Sequence, residues 1–267
     1  MSMSITTTTV EYVKNALKNG KRLDGRKLDE IRPIQIDHEV SVNAEGCARV
    51  KIGQTEVVAG VKFGLGEPYP DSPGKGSLST SVEFPPLGDP EFEAGMPGGD
   101  EVEAARVVDR CIRESHAIDF TKLCIEAGKK CYMLFIDIFV INNDGNLIDA
   151  CGMAAIAALR NTKIPKVIKE GDDYKLDQEG NYAGNLELDS NPMSITIRKG
   201  DNGIMLVDPS RAEEKALPAR ITVGSKDNGN ISSLQMGGSG NFSPEEITKI
   251  CKMATEIAQK TRKQHFR

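Results

Sequence analysis

Residues 143–160, NDGNLIDACGMAAIAALR, combine the features from which an anion site can be built. The pattern predicts a strand end, a turn at Asp144-Gly145 and a helix that opens at DACGM. The first N–H groups of a helix have no partner within it, and the helix dipole is positive at that end. Cys151, Gly152 and Met153 would therefore either hold a phosphate or pack into the core.

A row of arginines forms a second candidate site, on a two-sided helix predicted for residues 101–118. The apolar residues of this helix recur at the spacing i, i+3, i+4, i+7 and make up one face. Arg106, Arg110 and Arg113 lie on the opposite face, which points away from the helix's own core. Two uses of these cations are possible, a contact with a polyanion or local pairing. The local partners would be Glu103, Asp109 and Glu114.

Metal and disulfide chemistry find little support in the sequence. The six cysteines are scattered without a CxxC pair, and the three histidines are far apart without an HxxH or HExxH spacing. Protein-built zinc sites rely on such spacings, so we expect no metal site in this chain. The cysteines are expected to be reduced and buried, acting as small apolar side chains.

The net charge of −5 argues against a protein that binds nucleic acid through its overall charge. Residues 14–32 nevertheless carry seven basic and three acidic side chains, and form either a solvated helix and linker or an RNA contact. No apolar run approaches the ~20 residues that span a bilayer. The N-terminal MSMSITTTTV lacks the basic and apolar regions of a secretory signal. We therefore expect a cytoplasmic protein with no membrane partner.

The apolar periodicity predicts the elements that must position these residues. The expected helices cover residues 10–19, 101–118 and 149–160. The expected strands cover residues 34–42, 47–52, 56–63, 77–84, 122–126, 131–141, 194–198, 203–207, 220–223 and 231–236. A last helix is marked by Ser243 at the N-cap, Pro244 at the first helical position and Glu246 completing a capping box.

These elements describe an α+β protein made of two similar halves. We assign an N-terminal helix and arm to residues 1–28 and a first half to residues 29–165. A polar, glycine-punctuated connector at residues 166–190 leads to a second half with a C-terminal helix at residues 191–267. Each half has strands followed by helices, which suggests a duplication.

Six motifs, in their order and spacing, resemble the RNase PH family of phosphorolytic 3′→5′ exoribonucleases. They are RLDGR, EIRPI, EVEAARVVDRCIRES, DGNLIDACGMAA, GIMLVDPSRAEE and SSLQMGGSG, and the resemblance spans residues 20–260. The YPDSP loop and the PGGDEVEAARVVDR helix are most similar to the non-catalytic RNase PH-like subunit of the archaeal exosome. The resemblance implies an RNase PH-like fold (ribosomal protein S5 domain 2-like), with two βαβα-type halves whose mixed sheets are flanked by helices. It also implies a six-membered ring around a pore.

Two departures from the catalytic members of that family bear on activity. The resemblance implies that those members open the helix with D-A-G-[ST]-R, whose last three residues bind phosphate; here Cys151, Gly152 and Met153 take these positions. A thioether has no N–H and no charge, so at most the backbone donors leave a weak anion site. Catalytic members also carry an aspartate, and an ungapped count from Asp208 places Arg220 there. An arginine neither accepts a proton nor binds Mg²⁺ at neutral pH.

These departures lead to the hypothesis that the chain is not an enzyme on its own. It would be a non-catalytic, RNA-binding and structural subunit of a hexameric 3′→5′ phosphorolytic exoribonuclease ring, completing the active site of a catalytic RNase PH-like partner in a trimer of heterodimers. The resemblance implies that Arg110, Arg113 and Arg106 contact single-stranded RNA, and that cap proteins with S1 and KH domains also bind. Inorganic phosphate and Mg²⁺ would belong to the partner, leaving this chain without a cofactor of its own.

Two alternatives stay open. A self-sufficient phosphorolytic exoribonuclease would use Glu213 or Glu214 as its acid, although a solvated loop is the simpler interpretation of both. A small-molecule α+β enzyme would use the loop GLGEPYPDSPGKG as a phosphate grip, but this loop is neither a Walker sequence nor a GxGxxG strand–helix turn.

Overall fold

The computed structural model describes residues 5–171, 173–177, 180–200 and 203–266. The first half of the chain builds the larger sheet, from β1 (Ile34–His38), β2 (Gly46–Ile52), β3 (Thr55–Gly66), β4 (Ser77–Glu83), β5 (Cys124–Glu126) and β6 (Lys130–Asn142). The strand order is β1-β2-β3-β6-β4, with β5 paired to β6. Only β4 and β6 pair in parallel among these strands. A parallel pair needs a crossover connection, which helix α2 (Gly99–Glu114) provides.

Strand β6 lies inside the sheet and buries one face completely. Its fully buried residues alternate along the strand and include Leu134, Ile136, Ile138 and Val140. The opposite face is more open, since Phe139 is 39% exposed. The near-continuous apolar sequence predicted a strand covered on both faces, which is wrong for this second face.

Helix α3 (Leu147–Arg160) occupies the centre of the molecule. Its alanines allow close packing, and ten of its residues are buried. The first sheet lies on one side of it, and strand β11 (Met193–Lys199) of the second half lies on another. Since α3 contacts both halves, one hydrophobic core runs through them.

The second half forms a smaller antiparallel sheet with its own helices. The strand order is β12-β11-β13-β14, where β12 is Met205–Val207, β13 is Ala219–Ser225 and β14 is Ile231–Gly238. A short helix, α4 (Arg211–Ala216), follows β12, and the long helix α5 (Pro244–His265) packs on β11 and β13. The predicted start of α5 is confirmed. Ser243 Oγ accepts from the Glu246 N–H, and Glu246 accepts from the Ser243 N–H at 2.8 Å.

The segment interpreted as a polar connector contains short strands that the sequence did not reveal. Strand β7 (Lys163–Pro165) pairs with β10 (Tyr182–Asn185), and β8 (Val167–Glu170) pairs with β9 (Asp173–Leu176). Most residues of β8 and all of β10 are exposed. Without a buried face they lack the apolar alternation by which strands are recognised.

The N-terminal helix α1 (Thr7–Lys18) packs against the second half rather than the first. Its buried residues Val13 and Leu17 form a small apolar cluster with Leu206, Ala216 and Leu217. The beginning of the chain thus joins the half that is synthesised last.

Two of the predicted strands are shorter than expected for a reason that the local backbone shows. Strand β1 ends at His38 because Glu39 adopts a left-handed conformation (φ 57°), which strands do not accommodate. In the strand expected at residues 122–126, Phe120–Leu123 instead forms a 3-10 turn, capped by Asp119, whose carboxylate accepts from the Thr121 N–H at 3.0 Å.

The predicted α+β class with two sheet-and-helix halves is confirmed. Four of the six cysteines are buried, as expected for small apolar side chains. Within the described ranges, no helix combines the length and hydropathy needed to cross a bilayer.

Candidate functional site

Helix α3 starts two residues earlier than predicted, at Leu147, with Asn146 as a left-handed N-cap (φ 60°). Residues 151–153 consequently lie in the second turn. Backbone N–H groups there bond to carbonyls one turn earlier and do not point at a ligand. The side chains of Cys151 and Met153 are buried in the core. Of the two uses left open for these residues, packing into the core is the one that the structure shows, and their backbone N–H groups offer no anion site.

The real N-terminus of α3 already has a carboxylate from the same chain. Glu214 of α4 accepts a hydrogen bond from the Asn146 N–H at 3.2 Å. The same oxygen accepts from Nη2 of Arg198 on β11, also at 3.2 Å. The helix dipole favours negative charge at this end. Glu214 therefore stands where the helix would attract an external anion.

Arg220 lies on β13 directly opposite Arg198 on β11. Its guanidinium group covers Gly237, where an added Cβ would lie 2.6–2.8 Å from guanidinium atoms. It forms an ion pair with Glu103 of α2. The i,i+3 pairing of Glu103 with Arg106 that the sequence allowed is not what forms, because Glu103 faces the second sheet.

These groups line a cavity of about 310 Å³ between the two halves, which we call the central cavity. Its ionisable lining has five acidic and four basic side chains, a net charge of −1. They are Asp89, Glu91, Asp100, Glu103, Glu214, Arg198, Arg211, Lys215 and Arg220. Arg211 pairs with Asp89 at 2.6 Å, and Lys215 pairs with Glu91 at 2.7 Å. Each cation of the central cavity thus has an acidic partner from the same chain.

Asp149, in the first turn of α3, links the helix to the second half. It is buried and accepts hydrogen bonds at 2.8 Å from both the N–H and the hydroxyl of Thr196. Burial raises the pKa of the Asp149 carboxyl to about 7, although the Thr196 hydrogen bonds oppose this rise. The aspartate of the DACGM segment therefore has a structural position between the halves.

The arginines of the RLDGR and EIRPI motifs bind carboxylates of the second half. Buried Arg22 donates to both carboxylate oxygens of Glu213, at 2.6 and 2.9 Å. Arg26 and Arg32 each lie 2.7 Å from the carboxylate of Asp208. Burial alone would raise the pKa of Asp208, but the hydrogen bonds and charge of Arg32 bring it below its ordinary value. We call these five residues the arginine clamp, and its cations bind carboxylates within the chain.

The interpretation of Glu213 and Glu214 as a solvated loop is wrong. Ser210 caps helix α4 in this segment, Glu213 is 2% exposed, and Glu214 is half-buried. Both carboxylates are held away from solvent by an arginine partner, Glu213 by Arg22 and Glu214 by Arg198. Arg22 lies 191 positions from Glu213, so no local spacing could have revealed the pair.

The predicted arginine row divides into two kinds of residue. Arg106 and Arg110 are exposed, and neither has a carboxylate partner in the part of the chain that the structure describes. Both line two grooves beside α2, one of about 530 Å³ toward β4 and one of about 380 Å³ toward β14. Arg113 instead binds both carboxylate oxygens of Asp109 at 3.0 Å and donates to the Leu78 carbonyl at 3.1 Å. Two guanidinium groups therefore face outward, and the third is held locally.

The central cavity does not fit the phosphate and Mg²⁺ that phosphorolysis requires. Met153 is buried away from it, and the guanidinium of Arg220 is bound by Glu103. Mg²⁺ is bound through carboxylates and water, whereas Glu103 and Glu214 both pair with arginines. Over residues 5–171, 173–177, 180–200 and 203–266, no cluster of three or more metal-binding side chains is assembled. No step of phosphoryl transfer follows from these residues.

Comparison with known proteins places this geometry in a family. The model for domain 1 of the 3′ exoribonuclease family RNase PH matches residues 30–165, and the model for domain 2 matches residues 190–257. The exosome complex component Rrp42 of Methanocella arvoryzae is 45% identical over 93% of this chain and 92% of its own length. The protein of the same name from Thermoplasma acidophilum is 44% identical over 96% of this chain and 94% of its own.

Two solved structures are similar in both fold and sequence. One is the Archaeoglobus fulgidus exosome with RNA bound to the active site, where a chain matches with a TM-score of 0.87 and 38% identity over 96% of this chain and 97% of that one. The other is an archaeal exosome core, with a TM-score of 0.83 and 36% identity over 96% of both chains. With both domain models matched and the fold shared along nearly the whole length, this chain belongs to the RNase PH 3′ exoribonuclease family.

Proposed function

We propose that this chain is a non-catalytic, RNA-binding and structural subunit of an exosome-type ring that degrades RNA from the 3′ end by phosphorolysis. The observation that carries the proposal is Arg220, which stands where catalytic members of the family are expected to carry an aspartate and is paired with Glu103. The relatives named as exosome components and the similar exosome chains support assembly into such a complex.

Phosphorolysis brings a phosphate ion to a phosphodiester, so it requires donors that neutralise two anions. In this chain the side chain at the phosphate-binding position is the buried thioether of Met153. A permanent cation occupies the acid's position, and it cannot accept a proton. Bond cleavage is therefore assigned to a catalytic RNase PH-like partner, which would also hold the phosphate and Mg²⁺.

The RNA-binding part of the proposal rests on the exposed face of α2. Arg106 and Arg110 present guanidinium groups beside two grooves. Phosphate contacts give affinity without reading base sequence, which suits an enzyme that degrades any 3′ end. Arg113 belongs to the same row, and its RNA contact would share the guanidinium with Asp109. The partner's active site would be completed by this face in a trimer of heterodimers, with S1- and KH-domain cap proteins above the ring.

The alternative of a self-sufficient exoribonuclease needs Glu213 or Glu214 as an acid. Both carboxylates already have partners within the chain. Glu213 is buried against Arg22, and Glu214 binds Arg198 and the start of α3. We therefore favour the non-catalytic subunit.

A phosphorolysis assay tests the proposal directly. The purified chain is incubated with single-stranded RNA, phosphate and Mg²⁺, alone and after assembly with a catalytic RNase PH-like subunit, and native mass is measured on the same samples. We expect nucleoside diphosphates only from the mixture, together with the mass of a hexamer. Robust release by the chain alone would establish the self-sufficient alternative instead.

A further inference from the structure

The central cavity retains the cationic groups of an anion site, although it does not fit phosphate. Arg198 and Arg220 are opposite one another on adjacent strands, and their guanidinium groups both line the cavity. Asn146 and Leu147, at the N-terminus of α3, line the same wall, and the Asn146 N–H points to Glu214 in the lining. Two guanidinium groups and a helix N-terminus are the donors that bind an oxyanion in proteins.

Two carboxylates of the same chain occupy these donors. Glu214 takes a hydrogen bond from the Asn146 N–H and another from Arg198, so it bridges the helix terminus and one guanidinium group. Glu103 is paired with the other guanidinium group, on Arg220. The two acids come from different elements, α4 and α2, and reach the cavity from opposite halves of the molecule.

We propose that Glu103 and Glu214 are internal counter-anions that exclude inorganic phosphate from the central cavity. A carboxylate fixed by the fold is present at a very high effective concentration beside its donors, so a dissolved oxyanion must displace it. The lining's net charge of −1 adds repulsion to this competition. The inference deepens the proposed function, because it explains how a non-catalytic subunit of a phosphate-consuming ring stays free of phosphate itself.

The inference depends on the negative charges of Glu103 and Glu214. A substitution by glutamine removes each charge and keeps the side-chain volume. Replacing both glutamates by glutamine keeps the volume of each side chain and changes the net charge of the lining from −1 to +1. The guanidinium groups of Arg198 and Arg220 then lack a charged partner from these two residues. We expect the double variant Glu103→Gln/Glu214→Gln to bind inorganic phosphate, with each single variant intermediate.

Phosphate binding is measured on the full chain by titration calorimetry and by the amide chemical shifts of Asn146, Leu147 and Gly237. The wild type should show no saturable binding and no shift of these amides. The double variant should bind phosphate saturably, at least ~10-fold more tightly than the upper limit measured for the wild type, as expected when a charged hydrogen bond is gained. Glu187→Gln is the control for each single variant, since it removes one negative charge from an exposed pair with Lys122, and it should resemble the wild type.

Two results would overturn the inference. One is saturable binding of phosphate by the wild type that shifts the three amides, a measurement that does not depend on any variant folding. The other is a folded double variant, shown by an unchanged amide spectrum elsewhere, that binds phosphate no better than the control. Nucleoside diphosphate release is followed in parallel. Phosphate binding by the wild type without such release contradicts this inference alone, whereas release by the wild type alone contradicts the proposed function.

Discussion

Glu103, on helix α2 of the first half, forms an ion pair with Arg220, on strand β13 of the second half. The pair closes one wall of the central cavity and keeps the Arg220 guanidinium over Gly237. A carboxylate that spacing alone would assign to the exposed arginine row thus turns inward. As a result Arg106 retains an outward guanidinium group, and Arg220 does not.

Changing Arg106 and Arg110 together to alanine should weaken RNA binding by the assembled complex. Each phosphate contact on single-stranded RNA contributes ~0.7 to the slope of log affinity against log salt. The double variant should therefore lower that slope by ~1.4, measured by fluorescence anisotropy over a salt series. Arg49→Ala is the control because Arg49 lies on β2 and pairs with Asp37. An unchanged affinity and slope would remove these residues from the RNA contact.

Met153→Arg should destabilise the chain and should not create a phosphorolytic enzyme. The side chain is 3% exposed within the core, so an arginine there is a buried charge without a partner and should cost at least ~3 kcal/mol. Met153→Leu conserves volume and should cost less than ~1.5 kcal/mol. Urea unfolding measures both. Phosphorolysis by the arginine variant would show that its position reaches a working phosphate site.

Arg22→Ala should be among the most damaging single substitutions. It leaves the buried Glu213 carboxylate unpaired and removes donors from the carbonyls of Val207 and Asp208. Breaking a buried ion pair from one side costs ~3–5 kcal/mol. The double variant Arg22→Ala/Glu213→Ala should cost less than the sum of the single variants, as a urea-based double-mutant cycle would show. Lys14→Ala, in an exposed pair with Glu11, should be nearly neutral; strict additivity would contradict the coupling.

The raised pKa of Asp149 predicts how the free energy of unfolding depends on pH. Burial raises the pKa of its carboxyl from 3.8 to about 7 in the folded chain. Between those values the folded state binds the proton that the unfolded state has released, so this group's contribution to stability falls as pH rises. The fall is ~1.4 kcal/mol per pH unit within that window and stops above pH 7. Asp149→Asn should remove this slope relative to the wild type, measured by denaturant unfolding from pH 4 to 8. Parallel pH profiles for the two proteins would show that the carboxyl does not titrate in this window.

Local signals in the sequence predicted the elements that depend on local interactions. The start of α5 followed from Ser243, Pro244 and Glu246, which act on one another within a single turn. The start of α3 was misplaced because its N-cap is a left-handed asparagine, Asn146, without a side-chain hydrogen bond to the helix. Asp149, which looked like a helix-opening residue, instead bonds to Thr196 on a distant strand.

The sequence indicated which residues of the candidate site depart from the pattern of the catalytic members, but not which side chains contact one another. The resemblance to the family assigned Met153 and Arg220 to the phosphate and acid positions, and their side-chain chemistry led to the prediction, which stays a prediction, that they do not serve phosphorolysis. The roles of Glu103, Glu214 and Arg198 could not be predicted. Glu103 meets Arg220 only through the packing of the two halves, and Glu214 meets Arg198 only through the folding of α4 onto β11 within the second half. The signals for such contacts are long-range, and a single sequence does not carry them.

The arginine clamp can form only late in the synthesis of the chain. Arg22, Arg26 and Arg32 leave the ribosome early, while their acceptors Asp208 and Glu213 emerge more than 170 residues later. Until then the three arginines lack these carboxylate partners, although the first half has already been synthesised. Capture of the arginines by Asp208 and Glu213 becomes possible only after β11 and β12, the first two strands of the last sheet, have been made.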